Sequence, residues 1–254
     1  MLKLNHISVC YGKHSVLEDV HLHFSHGKVY TIVGKNGSGK STLLKACANM
    51  LPLSEGSILL EDANLVSYPP KERARRIAYL SQHRNTTSIT VERLIMHGRH
   101  PHLSNTKQMR QADWNAIEQA MGVMDVLHLR HRSMMSLSGG EQQRVYLAML
   151  LAQDTDILLL DEPTTYMDIS YQLRLLTFLQ EHKKDRMVIM VLHDITQALR
   201  YSDQLILMDQ GKVVQTGSVN KVIQSGRLED VLRISITSIE TKCHPFYDLE
   251  LPAE

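Results

Sequence analysis

The stretch VYTIVGKNGSGKSTLLKACANML (29–51) decides how the rest of the chain is read. VYTIV (29–33) is a near-continuous apolar run, the pattern of a strand buried on both faces of a sheet. It passes straight into GKNGSGKS (34–41), where Gly34, Gly39, Lys40 and Ser41 meet the spacing G-x-x-x-x-G-K-S. A helix-forming run follows, and Pro52 and Gly56 close it. Strand, glycine-rich loop and helix in that order make an anion site. Backbone N–H groups and the helix N-terminus cradle phosphates, the Lys40 ammonium reaches the terminal ones, and the Ser41 hydroxyl ligates Mg²⁺. Asn36, Gly37, Ser38 and Thr42 complete the expected nucleotide loop, residues 34–42.

Outward from this loop, two more apolar strands end in groups that phosphate chemistry needs. DILLLDEP (156–163) ends in Asp161, which can hold a magnesium shell, and Glu162, which can polarise an attacking water. MVIMVLHD (187–194) is expected to end its strand in His193, placed to bond a γ-phosphate and orient the water. Read alone, either is as well explained by solvent-facing residues at a strand end. Gln82, after the strand RIAYLS (76–81), and Tyr11, in an early turn, are weaker signals; a turn tyrosine is either merely exposed or a platform for adenine.

The wider pattern sets the fold class. Residues 2–33 read as short strands separated by the turns YGK (11–13) and SHG (25–27), and SILLED (57–62) as another strand. From about 89 to 152 the periodicity turns helical, through VERLIMHG, KQMRQADWNAIEQAMGVMDV and the run after LSGG. From 156 strands and helices alternate, ending in a hairpin at DQG (209–211). The expectation is an α/β phosphate-loop NTPase core of RecA-like type with a mostly parallel sheet, an N-terminal antiparallel β subdomain and an inserted helical subdomain. One domain of residues 1–254 divides into a core of 1–88 and 153–217, a helical part of 89–152, and an appendage of 218–254 with a helix and short strands.

Composition excludes several classes. The 254 residues are 43% apolar, enough for a core, and a net charge of +1 argues against a nucleic-acid partner. The basic run KERARR (71–76) reads as a solvated helix face. Three cysteines, Cys10, Cys47 and Cys243, are far apart and odd in number, which points to a reducing compartment rather than disulfides or structural zinc. The histidines of HLHFSH (21–26) and HGRHPH (97–102) have no Cys, Asp or Glu at ligand spacing and read as surface residues. No apolar run nears the roughly 18 residues that span a bilayer, and MLKLNHISVC lacks a leader's apolar stretch.

LSGGE (137–141) raises a question. A hydroxyl, two glycines and an acid open another helix, so the chain has two anion-type helix starts and one phosphate-loop lysine. With LSGGEQQR (137–144), the phosphate loop, the Asp161–Glu162 pair and His193 in this order, the whole chain resembles the nucleotide-binding subunit of ABC transporters. The resemblance implies ATP and Mg²⁺, Tyr11 stacking on adenine, Gln82 at the magnesium and the transmembrane interface, and Glu162 as catalytic base. It also implies a head-to-tail dimer in which Ser138, Gly139, Gly140 and Glu141 meet the ATP held by the other copy's loop, with Asp168 at the dimer interface. Permease subunits, an indirectly coupled substrate-binding protein and a peripheral place on the cytoplasmic membrane face follow as expectations.

Two stretches are similar to the branch that imports ferric siderophores, haem and cobalamin. PTTYMDISYQ (163–172) is similar to its PTTYLDISHQ, departing at Met167 and Tyr171, and HGRHPH to its GRYPH-type loop; Glu141 stands where the branch often has Gln. A lone nucleotide domain without a span argues against exporters, and 37 residues from 218 leave no room for a sugar importer's regulatory domain. Rival readings are a soluble ABC ATPase that remodels another complex, an importer of different cargo, a phosphate-loop kinase, and a non-hydrolysing nucleotide-binding module, which the intact Glu162 disfavours.

Overall fold

A computed structural model describes residues 1–82, 88–103, 108–239 and 246–251. The chain opens with β1 (Leu2–Tyr11), β2 (His14–Phe24), β3 (Lys28–Gly34) and α1 (Lys40–Cys47), then β4 (Glu55–Leu60) and β5 (Ala63–Asn64). It continues with α2 (Pro70–Arg76), β6 (Ile77–Leu80), α3 (Val91–Met96), α4 (Gln111–Val123), α5 (Gly139–Ala152) and β7 (Ile157–Asp161). After α6 (Ile169–Glu181), β8 (Met187–Val191), α7 (Ile195–Tyr201), β9 (Gln204–Asp209) and β10 (Lys212–Gly217) come α8 (Val219–Gln224), α9 (Arg227–Leu232), β11 (Ser235–Ile239) and β12 (Phe246–Glu250).

A six-stranded sheet has the order β10-β9-β3-β8-β7-β6, parallel except for the β9–β10 hairpin. Its parallel strands are apolar on both faces, and their alternation feeds two cores. Val29 and Val33 of β3, with Leu158, Leu160, Val188 and Met190, join the core shared with the helices. Tyr30 and Ile32, with Ile157, Leu159, Met187 and Ile189, join the core under the antiparallel sheet and α1. Burial on both sides is what lets these strands read as unbroken apolar runs.

The antiparallel sheet has the order β2-β1-β4-β5. Its first two strands, ten and eleven residues, are longer than the short strands expected. The alternation Leu2, Leu4 changes phase to Ile7, Val9, which a strict period of two would break. His6 at φ 49° and a register shift between Leu4 and Ile7 absorb the extra residue as a bulge, so all four side chains stay buried.

The helical part packs α3 and α4 on α5, with a bridge between Thr90 and Ser133. Trp114 and Met121 lie on a helix bounded at Gln111 and Val123, shorter than the run that suggested it; that run's Lys107 lies outside the described residues. α2 keeps no residue fully buried, yet its cations are engaged. Arg76 bonds Glu61 at 2.5 Å and Asp156 at 2.6 Å, and Lys71 and Arg75 donate to the carbonyls of Leu103 and Pro101. Cys10 is exposed; Cys47 is buried, which pushes its thiol up to about 12. Cys243 lies outside the described residues. Among the described residues no helix is long and apolar enough to cross a membrane.

Candidate functional site

The carboxyl ends of parallel strands are where open α/β sheets bind ligands. β3, β7 and β8 lie side by side in this sheet and deliver their ends to one cavity of about 390 Å³. Asn36, Gly37, Gly39, Lys40, Ser41, Thr42, Gln82, Glu162 and His193 line it. The sequence did not single out Val16, which also lines it; the only signal was an apolar residue just past the turn that holds Tyr11.

The loop over 34–39 needs its glycines. Gly34 has φ 149° and Gly39, the residue capping α1, has φ 99°. A Cβ on Gly34 would fall 2.1 Å from the Met208 carbonyl oxygen, and one on Gly39 would fall 2.8 Å from Leu17 Cδ2. The loop is thereby pressed against β9 and β2. Gly34 and Ser38 build the loop from below without lining the cavity; Ser38 Oγ is buried and has no partner among the described residues.

Lys40 is 7% exposed and lies along the loop, its Nζ donating to the carbonyls of Gly34 at 2.9 Å and Lys35 at 2.8 Å. Burial lowers its pKa, and the carboxylates of Glu162 and Asp161 oppose that fall. Ser41 Oγ donates to Asp161 Oδ1 at 2.9 Å, and Tyr79 donates to Oδ2 at 3.5 Å. Burial pushes Asp161 above the usual carboxylate range, the Ser41 bond resists, and the nearby Glu162 adds to the rise. An ionised carboxylate here is costly without a cation. The bonded Ser41 hydroxyl and Asp161 carboxylate, with Gln82 on the same cavity wall as Ser41, are oxygen donors of the kind that could hold a small hard ion such as Mg²⁺.

β7 stops at Asp161, and Glu162 follows at φ 52°, unusual for a residue with a Cβ. That turn points its carboxylate across the cavity to His193, whose Nε2–H donates to Oε1 at 2.5 Å. Thr165 Oγ1 donates to Oε2 at 3.4 Å. The strand expected to end in His193 stops at Val191, opposite Ile32 and Asp161. His193 therefore sits past the strand, in the turn before α7.

Other sequence candidates lie elsewhere. Tyr11 is exposed at the end of β1, paired with His14, and does not line the cavity. Ser138 caps α5, and Ser138, Gly139, Gly140 and Glu141 contribute nothing to the cavity wall. The Glu141 carboxylate accepts from the Ser138 N–H and Oγ–H, each at 2.8 Å, while Ser138 Oγ accepts from the Glu141 N–H at 3.3 Å. The bonds from the Ser138 backbone and hydroxyl hold that carboxyl below its usual range. Asp168 is exposed at the start of α6. The second anion-type helix start is therefore separate from the cavity of its own chain.

The model of one protein family, ABC transporter, matches residues 17–165. The chain is similar to the ferric enterobactin transport ATP-binding protein FepC of Escherichia coli, 38% identical over 91% of this chain and 86% of that protein. It is similar to the hemin import ATP-binding protein HmuV of Pseudomonas aeruginosa, 35% identical over 93% of this chain and 94% of that one. A solved dimeric bacterial ABC transporter cassette shares the fold at TM-score 0.77 and 24% identity, over 86% of this chain and 99% of that one.

Proposed function

The chain belongs to the ABC transporter family as an ATP-binding, ATP-hydrolysing subunit, and from that premise we propose that it powers the import of an iron chelate, a ferric siderophore or haem. One observation carries the chemical half: the Glu162–His193 pair and the Lys40 and Ser41 side chains line one cavity, with Asp161 bonded to Ser41. The names of the relatives, ferric enterobactin and hemin transport, support the cargo.

ATP enters with its phosphates on the loop of residues 34–42 and its base toward Tyr11 and Val16. Lys40 gives up its carbonyl contacts, or shares them, to bond the terminal phosphates. Ser41, Asp161 and Gln82 would hold Mg²⁺, which would offset the charge on the transferring phosphoryl group. Glu162 accepts a proton from the attacking water, and His193 fixes that carboxylate and reaches the γ-phosphate. Catalysis of this kind is mostly positioning, so the water must be held between Glu162 and the γ-phosphate while bulk water is kept out.

A second copy supplies the exclusion. Its Ser138–Glu141 helix start closes over the ATP of the first, and Asp168 lies in that interface; this explains a helix start built for an anion but remote from its own lysine. The chain works as one cassette with a core of 1–88 and 153–217, a helical part of 89–152 and an appendage of 218–254. It sits on the cytoplasmic face of the membrane, bound to permease subunits that a substrate-binding protein loads.

A strain lacking this chain tests the reading. Restoring the wild-type chain should restore uptake of radiolabelled iron chelate, and restoring Glu162→Gln should not, although that variant still binds ATP. Loss of sugar or peptide uptake alone would overturn the cargo, and wild-type hydrolysis by Glu162→Gln would overturn the base.

A further inference from the structure

We propose that Gln172 and Gln197 are positioning residues that hold the turn after Glu162 in its hydrolytic shape. The proposal rests on the reading of Glu162 as the group that activates water. From Glu162 to Met167 the backbone is strained, with φ 52° at Glu162 and 66° at Tyr166, and neither is glycine. Such conformations persist only where surrounding contacts over-determine them. The turn's own bonds are long: Thr165 N–H to Glu162 O at 3.4 Å and Met167 N–H to Thr164 O at 3.3 Å. The bonds from outside are shorter. Gln143 on α5 donates to the Pro163 carbonyl at 2.6 Å, and Gln172 on α6 donates to the Met167 carbonyl at 2.8 Å.

Gln197 on α7 extends the second bond into a relay, donating from Nε2 to Gln172 Oε1 at 2.7 Å. The direction is forced. A carbonyl only accepts, so Gln172 must turn its NH₂ to Met167 and its oxygen to Gln197, which must then donate. Gln197 Oε1 is left buried with no partner among the described residues, the cost of satisfying that order. α7 also follows His193 directly, and its cap Asp194 accepts from the Gln197 N–H at 3.0 Å. The relay thus joins the turn bearing Glu162 to the segment bearing His193, and so governs the geometry of the pair.

The test is steady-state ATPase kinetics of the full chain with Gln172→Met, Gln197→Met and the double variant, beside melting curves. Methionine keeps the shape and removes both polar atoms. Each single variant should lower kcat by about tenfold with KM for ATP held within about twofold, the mark of an interaction that matters only in the chemical step. The double variant should be no slower than the slower single one, because both break one relay. Gln172→Glu should also lose kcat, since it can accept from Gln197 but opposes the Met167 carbonyl with an oxygen. Unchanged kcat with a lower Tm, a raised KM with unchanged kcat, or multiplicative losses in the double variant would each overturn the proposal. Should Gln172→Met not fold, Gln197→Met, one bond further from the turn, carries the same expectation alone. Failure of the underlying reading is separate: it shows as hydrolysis by Glu162→Gln, whatever the glutamine variants do.

Discussion

Lys40 holds its charge in a buried position, not in open solvent. Its ammonium is tethered to the Gly34 and Lys35 carbonyls, and its depressed pKa reflects burial resisted by two carboxylates. A charge held this way loses little entropy when ATP binds, so its removal is expected to fall mainly on affinity. Lys40→Ala should weaken ATP binding by roughly 10- to 100-fold, the range for a charged hydrogen bond, in a titration of the chain with a fluorescent ATP analogue. Near-normal affinity would contradict the loop assignment. Lys40 and Ser41 were legible in the sequence because the motif spacing is local. The Glu162–His193 bond spans 31 positions, and only the parallel pairing of β7 with β8 brings the two together.

Among the elements, the segment HGRHPH turns from a branch resemblance into a clamp. Arg99 is buried and bonds Asp113 of α4 at 3.0 Å and the Ala152 carbonyl of α5 at 2.9 Å, while His102 Nε2 bonds the Gln153 carbonyl at 2.7 Å. The segment thereby ties α4 to the end of α5. Asp113→Ala would leave the Arg99 guanidinium buried without its counter-ion, a loss of about 3–5 kcal/mol, read as a lower urea midpoint. Burial pushes the Asp113 carboxyl up, but the Arg110 N–H and the Arg99 guanidinium outweigh it and the pKa falls. A carboxyl lowered on folding contributes stability that is complete above the unfolded value of about 3.9 and is lost as pH falls through the folded value. Asp113→Asn should therefore flatten the decline in stability below about pH 4. Equal acid sensitivity in both chains would show that Asp113 does not carry it. The helices here were legible from periodicity; the ion pair was not, because Arg99 and Asp113 lie on different elements and each alone reads as a surface charge.

For the whole molecule, the split between the nucleotide cavity and the α5 start makes the sharpest prediction. Ser138→Arg should leave ATP binding by a single chain near normal, since that cavity is lined by Asn36, Gly37, residues 39–42, Gln82, Glu162, His193 and Val16, and should abolish hydrolysis. A mixed dimer of one Ser138→Arg and one Lys40→Ala subunit places both lesions in one composite site and neither in the other. At ATP concentrations well below those that fill the weakened Lys40→Ala site, it should show ATPase activity that both homodimers lack. Loss of ATP binding by a Ser138→Arg monomer would refute the head-to-tail arrangement. The sequence by itself determined the phosphate loop, the apolar strands, the helical insert and the order of the motifs, because each depends on contiguous residues with a readable period or spacing. It left the bulge at His6 unread, since a single extra residue looks like a broken pattern until the partner strand shows what it pairs with. Only the tertiary structure decided that Val16 joins the cavity and that His193 stands beyond its strand facing Glu162. Those facts depend on which distant segments pack together, and that choice is made by burying two apolar faces of one sheet at once, a global balance that no local stretch encodes.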